Sequence, residues 1–165
     1  MDAELSERFH DLVGALDYSM FVVTTAHGGR RAGCLVGFAA QCSIDPPRFM
    51  IWLSKKNHTY EVARHATTLA VHTLTTAERE LASLFGSHTG DEEDKFTRCA
   101  WRPGPDGVPL LEDSPALFTG EVLDRHDTGD HVGFLVRPTS AVVRREARPQ
   151  LTFQDVRDFE PGHAA

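Results

Sequence analysis

Lys55 and Lys56 follow the apolar run Phe49-Met50-Ile51-Trp52-Leu53 and stand directly before Asn57 and Thr59, in the segment SKKNHTY. Two ammonium groups at a strand end, then residues able to cap a helix, are parts from which a phosphate can be held, because free N–H groups at a helix start add partial positive charge. No Gly-rich phosphate loop accompanies them, and the same residues also read as a capped surface helix with two solvated lysines. A second group is Gly129-Asp130-His131. Gly129 and Asp130 make a turn and His131 opens a strand, where its imidazole either faces a cleft as a neutral donor or acceptor or lies on the surface. The third feature is a lack of bulk. In RAGCLVGFAAQCS, residues 31–43, a single strand puts Gly33, Leu35, Gly37, Ala39 and Gln41 on one face. So many small residues weaken a strand unless something fills the space above them. A flat ligand bonded to the exposed peptide groups does so; a tight barrel corner or a bulge is the other reading.

Other chemistries lack their parts. Cys34 and Cys42 sit in apolar strands, the setting of an inert buried thiol, and no G-x-S-x-G elbow occurs. His58, His65 and His72 recur every seven residues, but the first two fall on a predicted helix and the third on a strand, so no metal site is expected. A net charge of -7, with no basic run longer than two residues, argues against nucleic acid. Three cysteines without a C-x-x-C pair, no secretory h-region and no 18-residue apolar span point to a reduced, cytoplasmic protein away from membranes.

The 165 residues, 41% hydrophobic, suit a single domain over 1–165. Leu5, Phe9, Leu12, Val13 and Leu16 form one apolar face, predicting a helix over about 3–16 that covers a sheet. YSMFVVTT and the stretch after AHGGRR predict a hairpin, and FMIWL a third strand, apolar on both faces. A helix follows at 57–66, with Asn57 as cap, and then a strand, TLAVHTL. Thr75 and Glu78 fit a capping box before a helix carrying Leu81, Leu84 and Phe85. GSHTGDEEDKF reads as an acidic loop, ALFTGEVL and HVGFLVRP as strands, and about 154–165 as an irregular tail. The expected class is mainly β with flanking helices (α+β), an antiparallel barrel.

GCLVGFAAQCSIDPP, SKKNHTY, LASLF followed by DKF, and GDH occur in the order and spacing of the flavin reductase-like family, and over roughly residues 12–140 the chain resembles these FMN-binding split barrels. The resemblance implies an NAD(P)H-dependent flavin reductase, an oxidoreductase that passes a hydride to FMN, with FAD or a deazaflavin as variants. It implies a homodimer with each flavin near the interface, and a monooxygenase component as recipient of reduced flavin. It places Gly33, Cys34, Leu35, Val36, Gly37, Gln41, Cys42 and Ser43 beside the flavin ring, Lys55, Lys56, Asn57 and Thr59 at its phosphate, and Gly129, Asp130 and His131 at the nicotinamide. Where the family commonly has Thr, Asn, Ser and Phe, this chain has Leu35, Gly37, Phe38 and Ala39, so Gln41, Ser43 or backbone groups take over those contacts. The alternative class is a non-catalytic split barrel that binds a flavin, a deazaflavin or haem.

Overall fold

A hairpin begins the sheet because Gly28 and Gly29, both in the left-handed region at φ 58 and 78, close a two-residue turn between two runs of β-formers. The computed structural model describes residues 2–87 and 94–159. In chain order it comprises α1 (Ala3–Gly14), β1 (Phe21–His27), β2 (Arg30–Val36), β3 (Ala39–Ser43), β4 (Arg48–Ser54), α2 (His58–Ala63) and β5 (Thr68–Thr73). After them come α3 (Arg79–Gly86), β6 (Trp101–Pro103), β7 (Pro109–Leu111), β8 (Ala116–Asp127), β9 (His131–Val143) and α4 (Phe153–Val156). Seven strands form an antiparallel sheet in the order β2-β1-β5-β8-β9-β4-β3, with β6 and β7 as a separate hairpin. The edge strands β2 and β3 are not paired with each other, so the barrel is split.

This split corrects one expectation. Residues 32–42 are not one strand with one small-residue face: the chain turns at Gly37 and Phe38, so that β2 and β3 end on opposite edges. Both faces of the sheet are buried along β1 and β5; on β4, read as apolar on both faces, Ile51 and Leu53 are buried and Met50 and Trp52 half-buried. Val23, Cys34, Val36, Ile51, Leu53, Val71 and Phe134 pack inside the barrel, while Val22, Leu74, Leu84, Phe85, Phe96 and Leu111 form a second core outside it. The Thr75–Glu78 capping box forms and starts the turn that feeds α3. Lys95, in a 3-10 turn, is buried, and its ammonium donates to the carbonyls of Gly33 (3.0 Å) and Phe85 (3.1 Å), tying β2 to the end of α3.

Two expectations fail at the termini. Asp2 caps α1 by accepting from the N–H groups of Glu4 and Leu5, yet α1 covers no sheet and none of its residues is buried. Its link to the body is α4, where Gln154 Nε2 donates to the carbonyls of Gly14 (3.3 Å) and Leu16 (3.0 Å). The segment expected to be irregular from 154 is helical through Val156, because Thr152 and Asp155 form a capping box and Leu151 and Val156 enter the outer core. Most of the acidic loop, residues 88–93, and residues 160–165 lie outside the described residues. Among the described residues no helix is long and apolar enough to cross a membrane.

Candidate flavin cleft

Where the chain leaves β2 at Gly37, a cleft of about 270 Å³ opens between β2, the end of β4 and the start of β9. Its buried floor is Cys34, Val36 and Leu53. Its sides are aromatic: Tyr18 stacks on Phe153 (centroids 5.0 Å apart, planes 14°), with Phe38 and Trp52 completing the wall. Trp52 is held on both sides of its backbone, since its N–H donates to the Phe38 carbonyl at 2.8 Å and it pairs with Gly133 across the β4–β9 ladder. Gly133 leaves room for the indole, because a Cβ there falls 2.7 Å from Nε1.

The two glycines of the small-residue run have different reasons. At Gly37 a Cβ falls 2.5 Å from the Tyr18 ring and 3.1 Å from Met20 Sδ, so the aromatic wall closes directly onto the backbone beside the cleft. At Gly33 a Cβ meets the Phe85 ring at 2.8 Å and the Thr24 methyl at 3.1 Å. Gly33 therefore makes room for α3 and does not line the cleft, which corrects its expected place. Gln41, Cys42 and Ser43 are corrected too: they lie on edge strand β3 away from the cleft, with Gln41 Nε2 donating to the Ser43 carbonyl at 3.2 Å. Cys42 is exposed, not buried; Cys34 is buried, and burial pushes its thiol pKa up, against smaller opposing effects of Lys95, Thr59 and Asn57.

The polar end of the cleft is Ser54, Asn57 and His131. His131 opens β9 opposite Ser54, and its ring lies 5.1 Å from that of Phe38. Its Nδ1 bonds Asp130 Oδ1 at 2.7 Å, so a neutral ring carries its proton on Nδ1 and keeps Nε2 as an acceptor. The same bond holds the exposed Asp130 carboxyl below its ordinary pKa. Gly129 supplies the turn, at φ 143.

The expected phosphate segment is only partly available. Lys55 is turned toward the β8–β9 turn: its Nζ pairs with Asp127 at 2.8 Å and its N–H donates to the Asp130 carbonyl. Asn57 caps α2 from within by accepting the Thr59 N–H at 2.9 Å, and Thr59 itself is buried. Cationic surface lies instead along the other half of β2. There a separate groove of about 340 Å³ is lined by Arg30, Arg31, His58 and the buried Lys95, together with the acidic Asp94. Arg31 is positioned by the Trp101 ring (4.9 Å) and by Asp94 (3.4 Å).

An apolar floor and flat aromatic walls, with a groove bearing Arg30 and Arg31 on the other half of β2, fit a planar ring that carries a phosphate tail. A model of the flavin reductase like domain matches residues 13–162. The chain belongs to the flavin reductase-like family. This reductase is 30% identical to the reductase subunit HsaB of a flavin-dependent monooxygenase from Mycobacterium tuberculosis, over 98% of this chain and 87% of that one. It is 28% identical to the 4-hydroxyphenylacetate 3-monooxygenase reductase component of Salmonella typhi, over 93% and 90%. Its fold is similar to a crystal structure of an FMN-binding protein from Thermus thermophilus, with a TM-score of 0.73, 28% identity and coverage of 79% and 72%.

Sequence reasoning placed Cys34, Leu35, Val36, Gly37, Asn57 and His131 where the reductase has its cleft, and missed Tyr18, Met20, Phe38, Trp52, Leu53, Ser54 and Phe153. Trp52 carried a readable signal, as the one large aromatic next to the end of an apolar strand. Phe153 carried none, being far along the chain from every other lining residue.

Proposed function

We propose that this reductase binds FMN with its ring in the aromatic cleft and its phosphate in the basic groove, accepts NAD(P)H at the His131 end, and hands reduced flavin to a monooxygenase component. An aromatic cleft on one half of β2 and a groove bearing Arg30 and Arg31 on the other half support this reading. When bound, the flavin supplies the hydride acceptor, so the chain need supply no nucleophile, acid or base. Tyr18 and Trp52 flank the ring, and backbone groups beside Gly37 replace the side chains common elsewhere in the family. Arg30, Arg31 and His58 hold the phosphate, with Lys55, Lys56, Asn57 and Thr59 shaping the adjoining turn. His131, oriented by Asp130 and Gly129, positions the nicotinamide amide through Nε2. Transfer to a monooxygenase is supported by the names of the two relatives. The working form is a cytoplasmic homodimer, its second copy supported by the three large apolar residues that α1 leaves exposed, Leu5, Phe9 and Leu12.

FMN titration is expected to quench flavin fluorescence with a micromolar dissociation constant, about -8 kcal/mol, and NAD(P)H oxidation is expected to depend on added FMN. Riboflavin, without the phosphate, binds more weakly, and Arg30→Ala with Arg31→Ala narrows that gap. Equal affinity for the two flavins in the parent protein removes the phosphate site; flavin binding without nucleotide oxidation returns the chain to the class of binding proteins.

A further inference from the structure

Asp127, Thr128, Gly129 and Asp130, the turn between β8 and β9, are all exposed, and His131 directly after them is half-buried. Packing contributes little to where this turn lies; hydrogen bonds set it. Within the turn, Asp127 Oδ1 accepts the Gly129 N–H at 3.1 Å, the local bond by which an aspartate shapes a turn. The N–H and the hydroxyl of Thr128 both donate to the His131 carbonyl, at 3.1 and 2.9 Å. These bonds shape the turn without fixing it to β4, whose Trp52, Leu53 and Ser54 line the cleft.

The β4–β9 ladder ends at the Ser54–His131 pair. Beyond it Lys55 continues the attachment at two points: its N–H donates to the Asp130 carbonyl at 2.9 Å, and its Nζ donates to Asp127 Oδ2 at 2.8 Å. Asp127 thus uses one carboxylate oxygen to shape the turn and the other to tie it to the end of β4. Lys55 foremost, with the Gly129 N–H, holds this exposed carboxyl below its ordinary pKa. The imidazole depends on the same attachment. His131 Nδ1 bonds Asp130 Oδ1 at 2.7 Å, and Asp130 is the residue whose carbonyl Lys55 holds. A turn that moved away from β4 would take Asp130 with it and shift the His131 ring, 5.1 Å from Phe38, at the polar end of the cleft.

We infer that Lys55 and Asp127 are positioning residues for the nicotinamide: the pair clamps the β8–β9 turn to the end of β4 and so aims His131 Nε2 into the cleft. This rests on the proposed nicotinamide role of His131 and extends it to two side chains that touch no substrate. It also gives the Lys55 ammonium, which the order of residues alone sends to a phosphate, a carboxylate partner instead. The clamp is an ion pair whose side chains are 39% and 68% exposed, and such pairs contribute little to folding. Its removal therefore shows in nucleotide kinetics rather than in stability.

Steady-state kinetics with NADH and NADPH test the clamp in Lys55→Met, Asp127→Asn and Lys55→Arg, each alone and combined with His131→Ala. All of these variants keep the backbone bond from Lys55 to Asp130. Lys55→Met and Asp127→Asn are expected to raise KM for the nucleotide about two- to fivefold, the range of an exposed ion pair, with kcat unchanged. Lys55→Arg, which keeps a cation within reach of Asp127, is expected to retain the parental KM. In the His131→Ala background Lys55→Met and Asp127→Asn are expected to change KM by less than about 1.5-fold, since the residue they act through is gone. The affinity gap between FMN and riboflavin is expected to stay that of the parent protein. Equal effects with and without His131 overturn the clamp, as does a parental KM in Lys55→Met. A narrowed FMN–riboflavin gap in Lys55→Met also overturns it, by placing the ammonium on the flavin phosphate. An unchanged kcat/KM in His131→Ala removes the nicotinamide reading of His131 and the clamp with it, whereas a loss in His131→Ala beside an unaffected Lys55→Met leaves that reading standing and removes the clamp alone.

Discussion

At the scale of single residues, His131 and the two glycines of β2 separate chemistry from packing. If His131 Nε2 makes one hydrogen bond to the nicotinamide, His131→Ala lowers kcat/KM for NAD(P)H by about five- to thirtyfold and leaves FMN affinity within twofold; steady-state kinetics beside fluorescence titration read both. A general acid or base contributes more, about 10² to 10⁴-fold, so a larger loss contradicts the positioning role. Gly37→Ala and Gly33→Ala are expected to diverge. The new methyl at Gly37 pushes on Tyr18 and Met20 beside the cleft and weakens flavin binding. At Gly33 it pushes on Phe85 and Thr24 and costs about 1 to 3 kcal/mol of stability, as overpacking does. Chemical denaturation and flavin titration of both variants check this, and a Gly33→Ala protein that loses flavin while keeping its stability would reverse the assignment.

At the scale of elements, His72 joins three strands. From β5 its Nδ1 meets the Val22 carbonyl of β1 at 3.0 Å, and its Nε2 accepts the Leu111 N–H of β7 at 3.0 Å, a pair of bonds that requires the neutral ring with its proton on Nδ1. Burial lowers its pKa from 6.5 to about 4, and Arg144 adds to the effect against the Val22 bond. Between those values the unfolded chain binds a proton that the folded chain refuses, so stability falls as the pH drops from 6.5 towards 4, by up to about 3 kcal/mol at the lower end. Urea midpoints measured across that window are expected to fall in the parent protein and to fall less in His72→Gln, whose side chain has a donor and an acceptor but no titration. Parallel slopes in the two proteins would show that other groups carry the acid sensitivity.

For the molecule as a whole, the cleft is made by elements distant in the chain, so its occupant binds only the folded state. FMN at a hundred times its dissociation constant is expected to stabilise the protein by about 2.7 kcal/mol, raising the thermal midpoint by about 5 to 11 °C for a chain of this size. Riboflavin at the same multiple of its own dissociation constant gives the same shift, and at the same absolute concentration a smaller one. Calorimetry that finds no shift with either flavin contradicts a native flavin site.

Much of the fold was legible in the sequence, because its signals are local. The Gly28-Gly29 turn, the Thr75–Glu78 capping box and the apolar run of β4 each depend on a few neighbouring residues, and each formed where its pattern placed it. Family resemblance likewise marked Cys34 to Gly37, Asn57 and His131 as belonging together. What only the tertiary structure decided is which way the backbone turns at Gly37 and what approaches it. Periodicity continued the run through 32–42 as one strand; packing of Tyr18, Met20 and Phe38 against its middle split it between the two edges of the barrel. That one turn carried Gln41, Cys42 and Ser43 away from the cleft and brought in Trp52 from β4 and Phe153 from near the C-terminus. Gly33, four residues earlier, stayed against α3. The sequence determined which residues are small, flat, charged or apolar. Contacts between residues far apart in the chain, which no short window records, decided which of them share a space.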